Sequence, residues 1–142
     1  MQNPAWFGLR YLRGGMVLLA FWVLCLQAFA THNRAGEITY SHVEGLTYEI
    51  LITTYTKSSA PADRPWLYLY WGDENDEPVD SLARESEVLM EGDIQVNRYR
   101  GNHTYGGPGI YEIQVEDPNR NQGVLNIPGS VDVPFTISSV LI

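Results

Sequence analysis

Residues 101–121 read GNHTYGGPGIYEIQVEDPNRN. Two readings compete for this stretch. In one, Gly106, Gly107 and Gly109 cradle a ligand while His103 and Asp117 do acid–base chemistry. In the other, Gly106-Gly107-Pro108-Gly109 turns the chain between two strands. The segment GIYEIQVED (109–117) favours the second. It alternates, with Tyr111, Ile113 and Val115 on one face, and a period of two marks a half-buried strand. No lysine lies nearby to meet a phosphate. Glu116-Asp117 and Arg120 then fall where the strand leaves its sheet, as a charge group that fixes the following loop.

Working outward, the same pattern recurs. EITYSHV (37–43) alternates, and LTYEILITTYT (46–56) is an unbroken β-branched and aromatic run. WLYLYWG (66–72) places Leu67, Leu69 and Trp71 on one face and Trp66, Tyr68 and Tyr70 on the other. One or two strands are expected in VLMEGDIQVNRYRG (88–101), around Gly92-Asp93. VPFTISSVLI (133–142) is the last strand, and a short one is expected at Val124–Ile127. Residues 57–65 and the acidic segment 73–87 are assigned to loops. No segment shows an apolar period of 3.6 with caps. About seven strands in roughly 110 residues predict an all-β, immunoglobulin-like antiparallel β-sandwich.

The first thirty residues have a different character. Arg10 and Arg13 precede an apolar run from Met16 to Leu26, and Ala28-Phe29-Ala30 has the form of a signal-peptidase site. The run is short for a membrane span. Residues 1–30 are therefore expected to be a cleaved signal peptide and residues 31–142 the domain, with no span after cleavage. Leu24 before Cys25 does not fit a lipobox, so Cys25 leaves with the signal and the exported chain has no disulfide or thiol site. Seven bases against seventeen acids remain, a net charge of −10. Such a domain repels phosphate backbones, which argues against nucleic acid as a partner. The chain ends in or just after a strand without a polar tail, as a piece of a longer protein would.

Candidate chemistry is sparse. Asp73, Asp76 and Glu77 in WGDENDEPVD (71–80) are weak calcium ligands, since hard cations collect carboxylate oxygens. An EF-hand loop counted from Asp73 fails at Pro78 and Arg84. His32, His42 and His103 show no metal spacing and are expected to be structural or surface residues. No G-x-S-x-G is present, and no catalytic residue or cofactor is assigned. Asn102-His103-Thr104 is a formal glycosylation sequon, silent in a bacterial chain. Trp66, Tyr68 and Tyr70 are candidates for a glycan-stacking face, but aromatics at period two are expected more often to pack the sheet.

LYWGDE (69–74) together with HTYGGPGIYEIQVED (103–117) resembles the PKD (polycystic kidney disease) domain family. That family carries a W-x-x-G-D-G or W-G-D-G strand end and a later H-x-Y…P-G-x-Y-x-V segment on extracellular sandwiches. The resemblance implies that Trp71 is core and that Gly72-Asp73 begins a strand-end turn. It implies that His103 and Tyr105 end a strand, and that Pro108-Gly109 leads into the strand bearing Tyr111. Glu74 stands where the family has a turn glycine. Segments 31–40, 62–73, 97–121 and 123–135 further resemble the N-terminal module of Bacteroidetes gliding motility-associated, type IX secreted surface proteins. The expected role is a non-catalytic extracellular module for spacing, adhesion or protein contact. It would be secreted or held at the cell surface, or periplasmic without a sorting domain. The alternative is a carbohydrate- or calcium-binding accessory module of a larger secreted enzyme. Partners would be other domains of the same protein, extracellular proteins or glycans.

Overall fold

A computed structural model describes residues 32–73 and 80–142. The expected signal segment and the calcium candidates Asp76 and Glu77 lie outside the described residues. The described chain forms seven strands: β1 (Asn33–Glu44), β2 (Thr47–Lys57), β3 (Trp66–Leu69), β4 (Asp80–Met90), β5 (Ile94–Thr104), β6 (Tyr111–Asp117) and β7 (Phe135–Leu141). All named pairings are antiparallel. One sheet has the order β1-β2-β5-β4-β3 and the other pairs β6 with β7. This is the seven-strand all-β sandwich that the alternation predicts.

The sheets are joined where β3 runs out. Tyr70 and Gln114 exchange two backbone hydrogen bonds of 2.9 and 3.0 Å, so the chain after Leu69 pairs with β6. Between the layers lies a core of Ile38, Ile50, Ile52, Leu67, Leu69, Trp71, Leu82, Tyr99, Ile113 and Val115. The strand residues among them come from the inward sets, which is why the period of two was visible in β1, β3 and β6. Gly101 completes the fit: a Cβ there would lie 2.6 Å from a Leu82 methyl.

Two expectations need correction. The segment 73–87 is not all loop, because β4 starts at Asp80 and pairs first with β3 and then with β5. Its strand character is masked by charge: Arg84 takes an inward position beside Leu82, and a bulge follows between Arg84 and Ser86. Val124–Ile127 forms a turn rather than a strand, with the Ile127 amide donating to the Val124 carbonyl at 3.1 Å. The segment 88–101 resolves as a hairpin of two strands, turning at Gly92 (φ 78°) and Asp93 (φ 60°). Asp93 tolerates the left-handed conformation because its carboxylate is tied to Ser58 and Ser59.

Gly72 is the tightest backbone crossing. Its φ is +87°, and a Cβ there would sit 2.7 Å from both the amide nitrogen and the carbonyl oxygen of Glu112. Gly72→Ala therefore meets a disfavoured backbone region and a backbone clash together. We expect it to destabilise by about 2 kcal/mol or more, read as a lower urea midpoint at unchanged m-value.

Candidate functional site

One end of the sandwich gathers the residues of the Trp-Gly-Asp and His-x-Tyr segments. β5 ends at Thr104, and His103 and Tyr105 project from that end toward Trp71. The His103 ring stacks on Trp71, with centroids 4.6 Å apart and planes 12° apart. Tyr105 meets His103 edge-on at 4.7 Å and stacks on Tyr111 at 3.9 Å. Polar tips are matched as well. Tyr105 Oη donates to the Trp71 carbonyl at 3.1 Å, and Tyr111 Oη donates to the Gly107 carbonyl at 2.7 Å. Pro108-Gly109 lets the chain double back under the Tyr111 ring, since a Cβ at Gly109 would sit 2.9 Å from that ring. A cavity of about 190 Å³ remains beside Tyr48, Tyr105, Tyr111 and Pro108.

His103 does have a carboxylate partner, but it is Asp73 rather than Asp117: Nε2 lies 2.8 Å from Asp73 Oδ2. The ring is held between Trp71 and Tyr105, and no hydroxyl or thiol is bonded to it among the described residues. The pair can position the strand end and the turn that begins at Gly72. The same bond engages one oxygen of the calcium candidate Asp73. Among the described residues, no group of three or more His, Cys, Asp or Glu side chains could hold a metal ion.

The opposite end is polar, and no motif in the sequence marks it. Thr54 and Thr56 continue the inward row of Ile50 and Ile52, and Asn97 continues that of Tyr99. Asn97 Nδ2 donates to Thr56 Oγ1 at 3.0 Å, while its Oδ1 accepts from Gln95 at 2.7 Å and from Arg84 at 3.2 Å. Arg84 pairs with Asp63 and, at 2.8 Å, with Glu87. Arg64 grips Asp117 through Nε at 2.5 Å and Nη2 at 3.3 Å, and Tyr99 Oη donates to the Arg64 carbonyl at 2.6 Å. Burial would raise the Asp117 carboxyl, but Arg64 and the Asn119 amide together hold it below the usual carboxylate range. The Arg84 hydrogen bond lowers Asp63 in the same way, and burial pushes the Tyr99 phenol up to about 12. Arg120 donates to the carbonyls of Val133 and Pro134, fixing the loop before β7.

His32 sits in this polar end, 2% exposed, and neither ring nitrogen has a hydrogen-bond partner. Its backbone is fully used, donating to Asn119 and accepting from Lys57. Burial lowers its pKa, against the opposing pull of Asp117 and Asp63. His42, in contrast, is exposed and bonds the Gly45 carbonyl at the β1–β2 turn.

The third set, Trp66, Tyr68 and Tyr70, departs from the packing expectation. Trp66 is 55% and Tyr68 62% exposed, because the second sheet covers only the face that carries Leu67 and Leu69. Tyr70 is half-buried, drawn toward β6 by its bridge to Gln114.

No family model, curated protein or solved structure matches this chain.

Two outcomes follow from these sites. Tyr111→Phe removes one buried hydroxyl bond and should cost about 1 kcal/mol, with equal melting curves as the contrary result. For His32, a folded pKa below the unfolded 6.5 means that the unfolded chain binds the extra proton. Stability is then full above pH 6.5 and falls as the pH drops through 6.5 toward the lowered value, by at most about 1.4 kcal/mol per pH unit. His32→Leu should flatten that slope between pH 7 and 5 in denaturation curves.

Proposed function

We propose that this chain is a non-catalytic interaction module of a bacterial surface or secreted protein, serving as spacer, adhesion or protein-contact domain. One observation carries the reading. The side chains best suited to chemistry are already committed to holding strand ends and loops: His103 to Asp73, Asp117 to Arg64, and Asp63 to Arg84. Each of these contacts ties one segment of the fold to another, which supports a structural role for the groups that make it. The apolar segment before Ala30 supports export, and among the described residues no helix is long and apolar enough to cross a membrane. The PKD-like segments and the likeness to type IX secreted surface modules support an extracellular setting.

The test uses the chain recovered from its producing cell. The exported form should begin at Thr31 by N-terminal sequencing. It should release no reducing ends from polysaccharides and no new termini from unfolded protein substrates. Turnover that disappears in Asp73→Asn or His103→Ala, with folding intact, overturns the non-catalytic assignment.

A further inference from the structure

Strand register shows what surrounds the two exposed aromatics. Tyr68 lies opposite Ser81 and Trp66 opposite Ala83, while Leu67 and Leu82 face the core between them. The neighbours on β4 are therefore the smallest available, and β3 is the edge of its sheet, so nothing on the adjoining strands overhangs either ring. Among the described residues neither ring contacts another aromatic. Alternate positions on one strand lie about 6.6 Å apart, a spacing at which two rings can underlie successive sugar units. Further across the same face, β5 presents Arg98, Arg100 and Asn102. Arg100 is clamped at 2.6 Å by Glu49 and 3.2 Å by Glu85. These are planar polar groups fixed in place before any ligand arrives.

We infer that the outer face of β3, β4 and β5 binds a neutral glycan chain, with Trp66 and Tyr68 as its stacking residues. This inference rests on the interaction-module reading. Aromatic faces carry negative quadrupole charge, which attracts the C–H-bearing face of a pyranose, and the hydroxyl rim of the sugar suits the clamped Arg–Glu array. Charge selects the glycan class. The chain carries a formal net charge of −8, and Arg100 is neutralised by its two carboxylates, so among the described residues an anionic polysaccharide or nucleic acid would meet only Arg98 as an unpaired cation of this face, against the charge of the whole chain. A protein hot spot is a poorer match. Hot-spot aromatics cluster near the centre of an interface in well-packed, desolvated pockets, whereas these stand on an edge strand beside Ser81 and Ala83.

The experiment titrates the exported chain with cellohexaose, mannohexaose and xylohexaose, with an alginate hexamer as the anionic control. Trp66 and Trp71 are the only tryptophans after Ala30. Trp71 is 2% exposed, so a ligand-induced change in emission reports Trp66. Saturable binding to at least one neutral hexamer is expected, stronger than to alginate. Trp66→Ala and Tyr68→Ala should each weaken it at least tenfold at an unchanged melting temperature, while Trp66→Tyr and Tyr68→Phe retain it. No binding to any neutral hexamer, or binding indifferent to both alanines, overturns the inference and leaves the interaction-module reading standing. Cleavage of a bound hexamer overturns that reading instead.

Discussion

A carboxylate that is 4% exposed must be compensated, and in this sandwich the compensation joins its two layers. Asp117 ends β6 in the smaller sheet, and Arg64 comes from the loop that leads into β3 of the larger one. Taking such a pair out of water costs several kcal/mol per ion, and only a well-formed set of hydrogen bonds offsets it. That set is present: two bonds from Arg64 and one from the Asn119 amide. Tyr99 from the middle of β5 then bonds the Arg64 carbonyl, which fixes the backbone that presents the guanidinium. The pair therefore specifies the position of the loop and the offset of the sheets, while the apolar core contributes most of the stabilisation.

The opposite end solves the same closure problem without charge burial. There Trp71, His103, Tyr105 and Tyr111 fill the gap with rings, and each buried polar tip finds a backbone carbonyl or the Asp73 carboxylate. Aromatic packing tolerates the irregular backbone of the glycine-rich turn because large flat groups cover it. The polar end has no such filler, so it relies on a connected network, and His32 is the one member left with unmet nitrogens among the described residues. At the polar end, burial opposes the charging of the His32 imidazole.

How much of this was legible depends on what each pattern encodes. Period two identified β3 and β6 because their inward residues are mostly apolar, while β2 showed as an unbroken β-branched and aromatic run. It missed the first half of β4, where Arg84 occupies an inward site and reaches Asp63 and Asn97 with its head group. Long amphipathic side chains at inward positions look like surface in a sequence. The aromatic end was expected only through the resemblance of the Trp71 and His103–Tyr111 segments to the PKD pattern. Alternation also separates Trp66 and Tyr68 from Leu67 and Leu69, yet it cannot say which face a second sheet will cover. The Arg64–Asp117 and His103–Asp73 pairings span 53 and 30 residues, and no local rule links such positions.

That last ambiguity bears on function. Inward-facing groups in a sandwich are spent on packing, so recognition falls to loops or to an outward sheet face. In the larger sheet the outward face is unusually ordered for a surface. Glu49, Arg100 and Glu85 form a three-member charge array across β2, β5 and β4, with β3 and its rings beyond. Single surface ion pairs add little stability, and here one guanidinium joins two of them into a small network that ties three strands. Edge strands are commonly blunted by charge or proline, but β3 instead exposes Trp66 and Tyr68 at its edge. Two large rings left in water on a four-residue edge strand forgo burial that inward packing would have supplied. The fold leaves more than half of each residue exposed, and a ligand that covers them would bury that area.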